Sequence, residues 1–360
     1  METFLFDHER YERFYNCSFY SVDSIPLEDR RHEYWGVFFL TFYAIGFSSY
    51  LVCLGAMLAS EKRKEASIQL MFLLGCIHCI GLQTSGLLVG IWTIQGAVFC
   101  SHPTVSYVVG CICSWCASTL TSQILGINRC LMLFNRSFAE YAFSGWRRVV
   151  WMSLPFFFFV YLCGWTAPPV FSSLLMAYVF NAHVGYSNDY GAVYKNLPNT
   201  VNNLLVCGTE LLICGSLIVL YLRATRSSSH EERKAADRDK RFYIQVLLVG
   251  IIHFIASLTY VLIQFFPVTN HKEVIIMAST FYLFSQGAPP LIYITVNQTL
   301  RNQILKSWRH GKRAVCGRSA VGSSIVATSA TQPNGGPHGM EPVDQPATSQ
   351  PRREIRDAVS

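Results

Sequence analysis

Charge is scarce in this sequence. Asp, Glu, Lys and Arg make up 14% of its 360 residues, against 51% hydrophobic residues. A water-soluble domain carries nearer a quarter charged residues to solvate its surface, so a soluble globular fold is excluded. Acidic residues are missing from the long apolar stretches except for Glu210, and only two histidines, His78 and His253, lie deep within them. A metal-assisted hydrolase inside a membrane needs several His and Asp on facing helices, which disfavours that class. A glycosidase carboxylate pair, a nucleophile elbow and a phosphate loop are all absent. No enzymatic activity, no cofactor and no resident metal is expected. Internal repeats of the kind many transporters carry are also missing. No apolar core with a cleavage site precedes the first long apolar run, so the first helix is expected to act as the insertion signal.

What the chain has instead is seven long stretches nearly free of charge. They run roughly from Tyr34 to Ala59, Ile68 to Ile94, Pro103 to Leu133, Val149 to Thr166, Val201 to Leu222, Phe242 to Phe266 and Val274 to Val296. A hydrocarbon core of ~30 Å takes ~20 apolar residues in a helix rising 1.5 Å per residue. In lipid every backbone amide needs an internal partner, so each stretch is expected to be helical. Pro155 in the fourth and Pro289-Pro290 in the seventh are tolerable, because membrane helices accommodate proline better than soluble ones. The expected fold is an all-α membrane protein with a seven-transmembrane helix bundle. Residues 1–33 form an extracellular amino-terminal segment and 34–296 the bundle. Residues 297–310 form an amphipathic cytoplasmic helix and 311–360 a disordered cytoplasmic tail. In the short helix, Leu300, Ile304, Leu305 and Trp308 share a face, with Arg301, Lys306 and Arg309 elsewhere. The tail is rich in Ser, Thr, Pro, Gly and Gln and cannot bury a core. Cys316, early in the tail beyond the helix, is open to palmitoylation or to remaining a free thiol.

Basic residues orient the bundle. With the amino terminus outside, only six of the 29 Lys and Arg face out: Arg10, Arg13, Arg30, Arg31, Lys195 and Lys272. The rest gather in the three inner loops, at the third helix end and in the tail, as the positive-inside rule requires. The expected location is the plasma membrane, multi-pass, amino terminus extracellular. The net charge of +7 reads as orientation and attraction to the lipid bilayer; no nucleic-acid partner is implied.

The same topology sorts the 13 cysteines. Only Cys17 and Cys100 face the oxidising side, which suggests one disulfide; unpaired thiols, or Cys17 bonded to another molecule, remain the alternatives. Cys111, Cys113 and Cys116 do not share one helical face, so they read as packing residues rather than a metal site. Asn16-Cys17-Ser18 is the one outward sequon, making Asn16 the glycosylation candidate.

Four short segments carry a family likeness. Gly96-Ala97-Val98-Phe99-Cys100 followed by Pro103 resembles the loop before the third helix of nematode serpentine receptors of class T. Gly126-Ile127-Asn128-Arg129-Cys130, Asn199-Thr200-Val201-Asn202-Asn203 and Tyr15-Asn16-Cys17-Ser18 are similar to further segments of that family. The likeness runs in order over roughly residues 11 to 310. It implies a G-protein-coupled chemosensory receptor of rhodopsin-like architecture, whose partners are a small-molecule ligand and a heterotrimeric G protein. A plasma-membrane transporter or channel is the alternative, weakened by the lack of paired intramembrane charges. The sequence departs from the rhodopsin-like pattern in several places. Asn128 stands before Arg129 where an acid is usual, and Pro290-Leu291-Ile292-Tyr293 lacks a leading Asn. His78 lies near the usual acid of the second helix, so a sodium site is not expected. The second outer loop has no Cys to pair with Cys100, which again makes Cys17 the candidate.

Ligand-contact candidates follow from depth. Glu210 lies ~15 Å below the outer end of the fifth helix, with His253 at a similar level of the sixth. An intramembrane ionisable residue is a functional candidate by default. The structural alternative is a neutral carboxyl, bonded to His253 or to a backbone carbonyl. Trp115, Tyr260, Gln264, Tyr282 and Gln286 join them in the outer half or near the midplane, although each alone is as consistent with packing. The loop from Ala167 to Thr200, rich in Tyr (Tyr178, Tyr186, Tyr190, Tyr194), is long enough to cover a pocket. At the inner end Asn128 and Arg129 are the G-protein-facing candidates, with snorkelling to headgroups as the alternative for Arg129.

Overall fold

The computed structural model describes residues 1–112, 114–186, 196–227, 229–265, 272–298 and 300–306. The chain divides into two units, Met1–Arg309 and His310–Ser360, and the second lies outside the described residues. The tail, Cys316, Trp308, Arg309, Tyr190, Tyr194 and Cys113 therefore go without structural description.

Three short helices precede the first span: α1 (Glu2–Phe6), α2 (His8–Tyr15) and α3 (Leu27–Arg30). Asp7 caps α2, its carboxylate accepting from the Arg10 amide at 3.1 Å. Phe4, Tyr11 and Tyr15 bring their rings within 5.4 Å of Tyr107 on the third span, so these helices lie across one end of the bundle.

The spans themselves begin with α4 (Glu33–Leu58). The second is α5 (Ala66–Leu82), a π-turn (Gln83–Leu88) and α6 (Val89–Gln95). The third is α7 (Pro103–Cys111) and α8 (Trp115–Phe134), followed by the short α9 (Arg136–Ala142). The fourth is α10 (Gly145–Trp165), and a hairpin of β1 (Val170–Ser172) and β2 (Ala177–Val179) comes after it. The fifth and sixth are α11 (Leu197–Arg226) and α12 (His230–Phe265), and the seventh is α13 (Lys272–Gly287) and α14 (Pro289–Val296). Among the described residues, six of the seven are long and apolar enough to cross a membrane by length and composition. The seventh is interrupted at Ala288, because Pro289 and Pro290 lack the amide hydrogens that would continue the ladder.

The third span is the axis of the bundle. In its apolar window 71% of residues are buried, against 6% in α10, which faces lipid almost all round. Its α8 part touches α5, α10, α11 and α12. The apolar core is layered along it. Leu70, Leu74, Ile124, Leu125, Val246 and Tyr293 fill the half far from the amino terminus, while Phe39, Leu82, Trp92, Phe171 and Leu283 fill the near half.

Two departures from unbroken helices have local causes. The third span, expected as one helix, breaks between Cys111 and Trp115. The Cys111 carbonyl there accepts from the Cys163 thiol of α10, and Gly110 lies directly against the backbone of Pro169. A Cβ at Gly110 would sit 1.9 Å from the Pro169 carbonyl oxygen, so only glycine permits this approach. The second span carries a π-turn, and within it the Thr84 carbonyl accepts from the Tyr178 hydroxyl of the hairpin at 3.2 Å.

The hairpin pairs Val170 with Val179, Phe171 with Tyr178 and Ser172 with Ala177. The Ser173 amide bonds to Ala97 and the Phe171 amide to the Ser106 hydroxyl, which pins it over the second and third spans. Beyond α14, residues 300–306 are helical. Leu300 and Ile304 pack into the lower core, Leu305 is exposed, and Lys306 lies 3.8 Å from Glu61.

Candidate functional site

A cavity of about 370 Å³ opens within the bundle near the amino-terminal face. Its walls come from α11 (Asn199, Asn203), α12 (Tyr260, Ile263, Gln264) and α13 (Ile275, Tyr282). Pro169, Tyr178, Val179, Phe180 and Asn181, on and beside the hairpin, complete them, and Trp115 lies at the bottom. Among the described residues no acid, base or histidine lines it. A larger hollow of about 740 Å³ runs along the outside between Pro26 and Trp35, but exposed Glu28, Arg31 and Glu33 line it and it is not enclosed by the bundle.

Trp115 begins α8 immediately after the break in the third span, and its indole is buried, 5% exposed. The ring meets Tyr282 edge-on at 5.6 Å and lies 6.5 Å from Tyr260 and 6.0 Å from His253. Its Nε1 donates to Asn203 Oδ1 at 2.8 Å. One turn before Asn203, Asn199 Oδ1 accepts from the Cys116 thiol at 3.8 Å. The opening of α11 and the start of α8 are thus fastened side by side at the cavity.

Four of the seven ligand-contact candidates, Trp115, Tyr260, Gln264 and Tyr282, line the cavity. The other three, Glu210, His253 and Gln286, lie outside its lining and are at most 2% exposed. Residue depth along a helix placed Glu210 and His253 at a similar level and the other five in the outer half or near the midplane, but it could not show which side of the indole each would occupy.

Glu210, His253 and Gln286 belong to a buried polar cluster strung along α8. Ser118 accepts from Gln286 Nε2 at 3.4 Å. One turn on, the Ser122 hydroxyl is hydrogen-bonded to His253 Nδ1 at 3.1 Å, and the Glu210 carboxyl lies beside that hydroxyl. Glu210 and His253 therefore meet through Ser122. The His253 ring lies 5.7 Å from that of His78, whose Nδ1 is bonded to the Tyr50 hydroxyl at 2.5 Å. Gly250 makes room for the carboxyl, since a Cβ there would stand 2.8 Å from Glu210 Oε2. Because the carboxyl does not line the cavity, Glu210→Gln is expected to leave the rank order of ligands unchanged while shifting signalling amplitude. Dose–response curves for at least two ligands check this.

At the far end of α8, Asn128 accepts from the Ser67 hydroxyl at 2.8 Å. Arg129 is 6% exposed, and its guanidinium lies 4.4 Å over the Phe242 ring of α12. An aromatic face on the sixth helix thus meets the arginine where no acid precedes it. Beside it, Asn297 Nδ2 donates to Gln245 at 3.0 Å, joining the seventh span to the sixth.

Cys17 and Cys100 are joined in a disulfide that ties the segment after α2 to the start of the third span. His183 lies close to both sulfurs, but these are bonded to each other, which leaves one imidazole and no metal-ligand set. Asn16 is half-buried beside the disulfide; its Oδ1 accepts from the Ser18 amide and its carbonyl is bonded to His183 Nε2.

Asn199 and Asn203 are the lining residues that sequence reasoning missed. They stood in a tract noted for family likeness alone, although amides four residues apart share one helical face. Phe180 and Asn181 carried no signal at all, since the hairpin that places them depends on tertiary contacts.

The family described as serpentine type 7TM GPCR chemoreceptor Srt matches residues 2–314 of the chain. The chain is 21% identical over 323 residues to serpentine receptor class T-55 of Caenorhabditis elegans, covering 87% of this chain and 86% of that protein. Its fold is similar to the crystal structure of squid rhodopsin, with a TM-score of 0.56 and 14% identity over 79% of this chain and 87% of that one.

Proposed function

The chain belongs to the Srt family of serpentine seven-transmembrane G-protein-coupled chemoreceptors, and from that premise we propose that it binds a small molecule in the cavity above Trp115. The amino-terminal face is extracellular in this reading, the receptor resides in the plasma membrane, and Asn16 carries the glycan. The distribution of Lys and Arg supports the orientation, since the loops at the opposite face hold Lys62, Arg63, Lys64, Arg147 and Arg148.

The observation that carries the proposal is that one residue belongs to both parts of the device. Trp115 lines the cavity and also faces His253 of the buried polar cluster. A ligand that displaces the indole changes what His253, and through Ser122 Glu210, can pair with. Signalling then amounts to a shift in the population of helix arrangements that the ligand binds unequally. At the far end α12 must move relative to α8 to uncover Arg129 and Asn128 for a heterotrimeric G protein, and the contact between Arg129 and Phe242 opposes that movement.

The test is a small-molecule screen on intact cells with a second-messenger readout, using a receptor tagged at its amino terminus and detected without permeabilisation. Surface tag signal together with a saturable, G-protein-dependent response supports the proposal; a response persisting without G protein overturns it. In the same assay Phe242→Leu is expected to raise signalling without ligand. A buried cation–π contact contributes ~2 kcal/mol, so its loss moves a two-state balance up to roughly thirtyfold towards the active side.

A further inference from the structure

We infer that the ligand is an uncharged carbonyl compound, a ketone, aldehyde or ester, whose oxygen accepts hydrogen bonds from the side-chain amides of Asn203 and Asn199. This deepens the receptor reading above and rests on it for the location of the site.

The argument turns on which end of each amide faces the cavity. Carboxamide oxygen and nitrogen are close to indistinguishable by shape, but an indole N–H can only donate. The atom of Asn203 that meets Trp115 Nε1 at 2.8 Å is therefore the oxygen. Its NH₂ group is left over, and makes no hydrogen bond to another described residue. Asn203 is 1% exposed and lines the cavity, so that donor has nowhere to be satisfied except by what the cavity holds. Asn199, half-buried one turn away, supplies a second amide on the same wall, 3.8 Å from the Cys116 thiol. On the same wall, the Tyr178 hydroxyl is already committed to the Thr84 carbonyl.

A buried donor without an acceptor costs ~1–3 kcal/mol, which a ligand oxygen recovers and a hydrocarbon does not. Charge is excluded by the same lining. Among the described residues no carboxylate stands at the cavity to pair an ammonium, and no Lys, Arg or His stands there to pair a carboxylate. Burying an ion unpaired is far more costly than burying a dipole. Around the two amides the walls are mostly aromatic and aliphatic, from Trp115, Pro169, Val179, Phe180, Ile263 and Ile275, with Gln264 and Asn181 as further neutral amides, so the rest of the ligand is largely apolar. Glu210, the residue that a cationic ligand would seek, does not line the cavity.

Asn203→Asp provides a specific test. The aspartate oxygen still accepts from Trp115 Nε1, so the local fold keeps its hydrogen bond, while the donor facing the cavity becomes a negative acceptor. The probes are methyl ketones of increasing chain length, with the alkanes and primary amines of matching length. Each is measured twice: by thermal stabilisation of the purified, detergent-solubilised receptor, and by second-messenger response in cells. In the wild type, ketones are expected to bind at least tenfold tighter than matching alkanes, and amines not at all. Asn203→Asp is expected to abolish the ketone advantage and admit the amines. The inference is overturned if alkanes equal ketones, if amines bind the wild type better, if no ketone of any length stabilises it, or if Asn203→Asp leaves the order unchanged. Ketone binding in detergent without any cellular response would instead leave the ligand class standing and remove the receptor reading. A cellular response confined to amines would do the reverse.

Discussion

Trp115→Ala is expected to weaken ligand potency by thirtyfold or more and to raise signalling in the absence of ligand. Three effects combine. The indole is a large buried ring at the bottom of the cavity, and residues of that type in desolvated pockets contribute ~2 kcal/mol or more on truncation, a factor of about thirty. Its removal also strands the Asn203 carbonyl, which then competes with the ligand for any donor. Finally, it merges the cavity with the polar cluster, because the ring lies between Tyr282 and His253. Trp115→Phe separates the terms: it keeps most of the ring and loses only the N–H, so about tenfold is expected. A radioligand or second-messenger titration on matched surface expression distinguishes the two. Equal effects of Ala and Phe would mean that the hydrogen bond, and not the ring, governs the site.

Gly110→Ala is expected to remove most of the folded receptor from the cell surface. The added Cβ would stand 1.9 Å from the Pro169 carbonyl oxygen and 3.0 Å from its carbon. Both are backbone atoms and cannot rotate away. Either α7 or the segment leading into β1 must retreat. Inserting one methyl into a packed interior already costs ~1–3 kcal/mol where side chains can adjust, and here they cannot. Pro169 also lines the cavity, so any receptor that does fold should bind ligand less well. Thermal melting of purified protein and surface labelling check both parts. The same change at Gly164 or Gly208, where an added Cβ meets nothing within 4 Å, should be tolerated.

Both residues mark the boundary of what could be read from sequence. The spans were legible because lipid demands long uncharged runs, a demand met residue by residue along the chain. Helical rise gave the depth of Trp115, Tyr260, Gln264 and Tyr282, which line the cavity, and equally that of Glu210, His253 and Gln286, which do not. The breaks were not, because their cause lies across space: Gly110 is indistinguishable from any membrane glycine until Pro169 is set against it. The hairpin escaped notice for the same reason, since Ser106 and Ala97, far away in sequence, hold it in place. So did the amino-terminal helices, whose aromatic rings find Tyr107 only once the third span is placed. Asn203 was visible as a letter, but its meaning depends on which atom Trp115 occupies. Glu210 is the converse: as the single carboxylate in the spans it drew attention as a ligand contact, while Ser122 and the space beside Gly250 place it in the wall between helices.

The π-turn at Gln83–Leu88 bears on how the chain can vary in length. A π-turn holds one residue more than an α-helix following the same path. Loss of a single residue there would return the ladder to α-helical spacing and leave His78 on one side and Trp92 on the other facing as they do now. The same loss elsewhere in the span would swing one end through roughly 100° and turn its buried face to lipid. Single-residue length differences in the second helix of related receptors are therefore expected to collect between Gln83 and Leu88, and to be rare in the stretches on either side.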